Sequence, residues 1–339
     1  MADLTTTYMG IKLRSPVIAG ASSMTSNFDT IKKIEKAGAG AIVCKSLFEE
    51  EIQLESLELD KGLHQHDNKN PEGLTLFPDF EEKGPDYHLY WIKKTKDNSE
   101  IPVIASLNAV NEEIWIEYAK KIEKTGVDGI ELNFYSSPDF AQNNSSKIEE
   151  EQLDVLKKIR KAVDLPISVK LSPYYTNLSG FIKQIDAIGI DGFVLFNRFF
   201  QPSIDIKSEK FTLPFNFSDK GDNGLPLRFT GLLAGDVKGS LCSSTGIMDA
   251  DDVISMILAG ADAVQVVSTL YKNGPNHIKT ILTGLEKWMD DKHYSSLKDF
   301  HGKMSREKIG QKDILAYKRA QYVNMLMQPS DDLMNKIRY

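Results

Sequence analysis

Two lysines and an asparagine stand out because each finishes a short run of β-branched and apolar residues. Lys45 closes AIVCK, Asn133 closes GIELN and Lys170 closes ISVK. Polar residues hold equivalent places elsewhere: Ser22 and Ser23, Ser46, Ser106 and Asn108, Ser136 and Ser137, Ser172, Asn197 and Arg198, Thr245 and Gly246, Ser268 and Thr269. Two lysines, two or three asparagines and several hydroxyls at strand ends would converge on one pocket. Either lysine could act as a Schiff-base nucleophile, the chemistry of an aldolase. The turns SSTG and VVSTL, each ahead of a helical segment, suit a phosphate, because backbone N–H groups and helix N-termini favour anions. No His/Cys/Asp/Glu cluster has metal-ligand spacing, so no metal site is expected.

Each of these residues also has a plainer reading. A lysine ending a strand often only solvates a rim, and an asparagine often caps a loop. Cys44 and Cys242 sit in apolar runs and read as core, not as nucleophiles. What favours chemistry is the repetition of polar strand ends along the chain.

That repetition comes from a recurring unit. EKAGAGAIVCK, EKTGVDGIELNF, DAIGIDGFVLF and LAGADAVQVVS each carry an amphipathic segment into a glycine (Gly38, Gly126, Gly189, Gly260), followed by a Val/Ile-rich run. Glycine supplies the left-handed residue that closes a helix. The apolar run reads as a strand buried on both faces of a parallel sheet. Helical faces are well defined: Ile114, Trp115, Tyr118, Ala119 and Ile122, with Asn111 as N-cap; Phe181, Ile182, Ile185 and Ile188; Val253, Ile254, Ile257 and Leu258, with Asp249 as N-cap. Pro102 and Pro166 open two further strands.

Eight strands result: VIAGAS, AIVCK, PVIASL, GIELNF, ISVKLS, GFVLF, a weaker one at 239–244, and AVQVV. The expected fold is α/β, a (β/α)8 TIM barrel over residues 1–304, with 305–339 as a C-terminal helical extension. A doubly wound open sheet is the competitor. In a barrel, strand ends and the loops after them form the reactive face. Residues 46–86 and 198–230 read as long loop insertions.

Composition narrows the class. Of 339 residues, 41% are hydrophobic and 26% charged, a globular profile, and the net charge of −7 argues against nucleic-acid or anionic-membrane partners. Two cysteines make no disulfide framework, no apolar run reaches spanning length, and MADLTTTYMGIKL lacks the layout of a secretory leader. The expected location is the cytoplasm.

Several segments, taken in order, resemble one family, the class 1 dihydroorotate dehydrogenases. The stretch LYKNGPNHIKTILTGLEKWMDDKHYSSLKDFHGKMS is similar to their C-terminal region, and IVCKS to their strand-two Lys-Ser motif. GIELNFYSSPD resembles their Glu-Leu-Asn motif and catalytic loop, and SVKLSPYYT their flavin-contacting segment. The resemblance spans most of residues 8–304. It implies an FMN-dependent oxidoreductase that oxidises dihydroorotate, or a related dihydropyrimidine-like ring, by hydride transfer to flavin, as in pyrimidine biosynthesis. It also implies a homodimer. A separate electron-transfer subunit could supply the iron–sulfur centre for which this chain has no cysteine cluster.

Carried over by residue, the resemblance makes Ser137 the base and places Lys45 beside the flavin ring and the substrate. Ser22, Ser46, Ser106, Asn108 and Asn133 would contact the cofactor, and Lys170 its N1/O2 edge. Thr245, Gly246, Ser268 and Thr269 would hold its phosphate. Asn133, Asp139, Asn197 and Arg198 would meet substrate. Four departures from the pattern stand out. Ser137 replaces the class 1 cysteine, Asp139 replaces an asparagine that binds the substrate carboxylate, Arg198 replaces a small hydroxyl residue, and the family's Asn-bearing substrate loop is absent. The turns SSTG and VST are also poorer in glycine than the family's phosphate loops. FMN binding is therefore expected to survive better than orotate specificity. The rival readings are a Schiff-base aldolase using Lys45 or Lys170, and a flavin-binding pseudoenzyme.

Overall fold

The computed structural model describes residues 2–48, 85–108, 112–134, 144–198, 202–212, 217–310 and 317. An antiparallel hairpin, β1 (Thr6–Tyr8) and β2 (Ile11–Leu13), leads into β3 (Val17–Ala19), β4 (Ala41–Val43) and β5 (Leu47–Phe48). The remaining strands are β6 (Val103–Asn108), β7 (Gly129–Asn133), β8 (Ile167–Leu171), β9 (Gly192–Leu195), β10 (Ser203–Asp205), β11 (Lys210–Thr212), β12 (Ser240–Ser244) and β13 (Ala263–Val266). The parallel pairing runs β4-β3-β13-β12-β9-β8-β7-β6 and closes through β4–β6. The chain is thus a closed eight-stranded (β/α)8 TIM barrel. β4 and β5 both pair with β6 and act as one barrel strand broken at residues 44–46.

The strands alternate strictly, as a pleated sheet with two buried faces must. In β8, Ile167, Val169 and Leu171 pack outward against helices while Ser168 and Lys170 take the alternate positions. Val17, Ala19, Ile42, Val264 and Val266 make the corresponding outer layer on the other side, under the helices Ala250–Ala259 and His277–Asp291. Inside, the side chains grade from small and apolar to polar along each strand: Gly129, Glu131, Asn133 on β7; Ile104, Ser106, Asn108 on β6; Cys242, Ser244 on β12; Ala263, Gln265 on β13. The lower end is plugged by Tyr8 and Met9 of the hairpin, both buried. A Cβ on Gly129 or Gly192 would come within 2.7 or 2.8 Å of the Met9 side chain, so both strands begin with glycine.

The four repeat glycines, Gly38, Gly126, Gly189 and Gly260, all take positive φ, 81° to 112°. Asp249 caps the helix Ala250–Ala259 through Asp252 N–H at 3.2 Å. The proposed cap Asn111 lies outside the described residues. Three features differ from the sequence reading. The excursion 198–230 contains the hairpin β10–β11 and the start of a helix, Gly224–Leu233. Pro226, which looks like loop punctuation, sits in that helix's first turn, where an N–H has no intrahelical partner anyway. A six-residue helix, Ser268–Asn273, leaves β13 directly and ends at Gly274, before the longer helix that was expected alone. Finally, residues 305–309 are turns, not helix, and of the tail beyond residue 310 only Tyr317 is described. Among the described residues no helix is long and apolar enough to cross a membrane.

Candidate active site at the carboxyl end of the barrel

Where the strands end, the lumen opens into a cavity of about 440 Å3, within the range of small-molecule sites. Its wall includes Ser22, Lys45, Ser46, Asn133, Lys170, Asn197, Arg198, Thr245, Gly246 and Ser268, so most of the anticipated residues converge. A larger hollow of about 610 Å3 lies at the opposite end, between the β1–β2 hairpin and residues 297–308, and gathers none of them.

One end of the cavity carries the amides and cations. Asn197 Nδ2 donates to Asn133 Oδ1 at 2.9 Å, which leaves the Asn133 NH2 for a ligand. Lys170 is 7% exposed, and its Nζ donates to Gln265 Oε1 at 3.2 Å and lies 3.8 Å from Glu131 Oε1. Gln265 Nε2 in turn donates to Glu131 Oε2. Removing Lys170 alone would strand a buried carboxylate, a loss on the order of 3–5 kcal/mol. Lys45 sits in the break between β4 and β5, where its side chain leaves the sheet alternation; its carbonyl accepts from His88 Nε2 at 2.8 Å. Burial, ahead of the Lys45 charge, lowers the His88 pKa and suits a neutral donor imidazole.

The other end carries hydroxyls and one backbone turn. Thr245 and Gly246 both have positive φ, 80° and 75°. A Cβ on Gly246 would fall 2.4 Å from Asn223 N, so glycine is required there. Gly246 N–H donates to Ser218 Oγ at 3.1 Å, and that hydroxyl lies 2.9 Å from Ser268 Oγ. These groups converge where an anion could replace the Ser218 oxygen as acceptor. At the anticipated helix N-terminus Asp249 accepts the Asp252 N–H, Asp252 accepts those of Met248 and Asp249, and Lys220 pairs with Asp249, so the chain's own carboxylates already crowd it. The apolar part of the wall is Phe196, Phe217, Ile247, Val267 and Tyr271, three of them chain neighbours of Ser218, Gly246 and Ser268.

Three expected residues stand apart from the wall. Ser106 Oγ is buried and bonded to Ser46 Oγ at 2.7 Å, and Asn108 is also buried off the cavity. Thr269 is fully buried, donates to Met248 O at 3.0 Å and accepts from Asn273 Nδ2. Ser136, Ser137 and Asp139 lie outside the described residues. Glu131, Gln265, Ser218, Phe196, Phe217 and Tyr271 were not anticipated. The signal for the first two was a polar residue at an inward place of an otherwise apolar strand. Among the described residues no group of three or more His, Cys, Asp and Glu is placed to hold a metal. A Schiff-base lysine needs apolar walls or another cation beside it, whereas Lys170 has a carboxylate and an amide.

A cationic, amide-lined end, apolar flanks and a hydroxyl and N–H turn fit an amphipathic planar ligand that ends in a phosphate. A family model described as dihydroorotate dehydrogenase matches residues 77–289. The catalytic subunit of dihydroorotate dehydrogenase B (NAD(+)) from Methanocaldococcus jannaschii is 30% identical over 293 residues, covering 82% of this chain and 90% of the relative. Its counterpart from Thermoplasma volcanium is 28% identical over 330 residues, 89% of this chain and 98% of the relative. Dihydroorotate dehydrogenase A (fumarate) from Lactobacillus helveticus is 33% identical over 184 residues, 51% of this chain and 58% of the relative.

Proposed function

Since the chain belongs to the dihydroorotate dehydrogenase family, an oxidoreductase family, we propose that it is an FMN-dependent dehydrogenase acting on dihydroorotate or a related dihydropyrimidine-like ring. The observation that carries this reading is the two-ended cavity. Lys45, Asn133, Lys170 and Asn197 lie at one end, and Ser218, Thr245, Gly246 and Ser268 at the other.

FMN, when bound, supplies a two-electron acceptor. The residues that would hold its phosphate are Gly246 through its N–H and Ser268 and Ser218 through their hydroxyls, with Thr245 supporting the turn. The Lys170 ammonium would lie where it can offset negative charge on the ring edge, and Asn133 would donate to the ring's acceptors. Phe196, Phe217 and Tyr271 exclude water from the flanks. Lys45 and Asn197 orient the substrate carbonyls. Ser137, four residues past the end of β7 in the chain, is the proposed acceptor of the proton from the substrate carbon. A serine hydroxyl is a weak base, so it passes the proton on through water in a closed pocket.

Relatives named as catalytic subunits support a separate electron-transfer subunit as the partner that reoxidises the enzyme. The fumarate-type name of another relative makes the acceptor an experimental variable. The test is the visible spectrum of the purified protein, the mass of the released cofactor, and anaerobic reduction by dihydropyrimidines. A yellow protein that releases FMN and bleaches with a dihydropyrimidine is expected. A colourless protein that FMN does not reconstitute would overturn the proposal, and a yellow one that no dihydropyrimidine bleaches would favour the pseudoenzyme.

A further inference from the structure

Strands β7 and β13 stand on opposite sides of the closed barrel, four steps apart in either direction. Glu131 rises from β7 and Gln265 from β13, and both are 1% exposed. Their side chains nevertheless touch, because the Gln265 amide crosses the lumen and donates to Glu131 Oε2. The same amide presents Oε1 to Lys170 Nζ at 3.2 Å. Its orientation is fixed by chemistry: turned over, it would set NH2 against an ammonium and C=O against a carboxylate. Gly20, at the end of β3, leaves room for it, since a Cβ there would lie 3.3 Å from Gln265 Oε1.

The consequence concerns Lys170. At 3.8 Å from Glu131 Oε1 it is an ion-pair neighbour of the carboxylate but not its hydrogen-bond donor, and that oxygen has no hydrogen-bond partner among the described residues. Without the amide between them, the two charges would close on each other. We infer that Gln265 is a positioning residue: its amide holds the Lys170 ammonium off the Glu131 carboxylate and presented to the ring edge of the bound ligand. One of the three ammonium donors is spent on Gln265, and the others are kept for the ligand. Glu131 acts from beneath as a countercharge that tempers the cation. The role in tuning a ring that takes up negative charge rests on the FMN reading; the role in holding Lys170 does not.

The test has two arms. In crystal structures of cofactor-free protein, Gln265→Met should let Lys170 Nζ close from 3.8 Å to hydrogen-bond distance of Glu131, while Glu131→Gln should leave Lys170 on Gln265. In FMN-loaded protein the midpoint potential should move in opposite directions. Gln265→Met and Gln265→Glu lower it by withdrawing or cancelling the ammonium charge, and Glu131→Gln raises it. A tenfold change in the relative binding of the two redox states corresponds to about 30 mV for a two-electron couple. A purely structural role would alter stability without this opposition of sign. Lys170 unmoved in Gln265→Met, or potentials of all three variants equal to the parent's, would overturn the inference. A parent that takes up no FMN defeats the functional reading alone, and the cofactor-free structures then decide.

Discussion

Arg198 reaches from the cavity wall to the carboxylate of Asp222, which also accepts the backbone N–H of Asp219 at 2.9 Å. Its Nε is buried with no hydrogen-bond partner among the described residues. The guanidinium is therefore tethered at one edge and still able to donate from another. By resemblance to the family, Asp139 takes the place of a substrate-binding asparagine, and we propose Arg198 as the cation that offsets it. Like charges about 4 Å apart cost on the order of 4 kcal/mol at an effective dielectric near 20, close to a thousandfold in affinity. Dihydroorotate should accordingly reduce the bound flavin slowly. In stopped-flow measurements Asp139→Asn should speed this at least tenfold, and Arg198→Ala should slow it further. Rapid reduction of the unmodified protein would show that Asp139 lies away from the substrate.

The same ion pair gives a pH dependence. The Asp219 N–H, and then Arg198 against the opposing effect of burial, hold the Asp222 carboxyl below its ordinary value of 3.8. A carboxyl depressed on folding stabilises the native state fully above its unfolded value, and that contribution is lost as pH falls through the folded one. Melting temperature followed from pH 6 to pH 3 should fall less steeply for Asp222→Asn than for the parent. Equal slopes would remove Asp222 from the acid transition.

Neighbouring residues 245 and 246 should respond to substitution with opposite signs. Gly246→Ala places a Cβ 2.4 Å from Asn223 N and 2.8 Å from Asp222 C, both backbone, at φ +75°. A loss of about 2 kcal/mol or more in denaturant unfolding is expected, with weakened FMN retention. Thr245 is β-branched at φ +80°, so Thr245→Gly should raise stability by about 1 kcal/mol. A destabilised Thr245→Gly would mean that its hydroxyl bond to Phe196 O outweighs the backbone strain.

Both thiols should be silent in the native protein. Burial pushes the Cys44 pKa to about 12 and, with the Glu131 charge adding to it, raises that of Cys242 well above its ordinary value. An aromatic disulfide reagent should titrate no thiol in buffer and two in guanidinium chloride. Reaction of either cysteine in buffer would reveal local opening of the barrel.

The β10–β11 hairpin carries Ile204 opposite Phe211, with Ile206 beside them, at 60%, 77% and 85% exposure. A second copy of the chain is the expected cover for such an apolar pair. Light scattering should give twice the mass of one chain at micromolar concentration, and Phe211→Asp should shift it toward the single-chain value. A monomeric parent would refute this.

The barrel was legible because its evidence repeats. Four helix–Gly–strand units and two proline-led strands fix most of the ring, and Asp249 marks its helix start. The site was legible only to the level of strand ends. Ser268 and Thr269 are consecutive, and neighbours on a tightly turning backbone face different ways, so one lines the cavity and the other bonds Met248 O. Ser106 and Ser46 neutralise each other because their strands are adjacent, which no spacing in the chain announces. AIVCK reads as one strand and residue 46 as the start of a loop, yet the strand stops at Val43 and a second piece, Leu47–Phe48, rejoins the sheet beyond Lys45. Glu131 and Gln265 were passed over because a buried strand reads as a run of apolar residues, and only closure of the ring brings its opposite walls together.

The plug beneath the barrel sets an order of assembly. Met9 packs on Gly129 and Gly192 and donates its N–H to Ser240, Thr6 donates to Asp262 O, and Asp3 bridges to Ser296. Every one of these contacts lies more than a hundred residues downstream. The segment that leaves the ribosome before the barrel strands must therefore wait, unseated, until the last of them has emerged, and only then lock the cylinder from below.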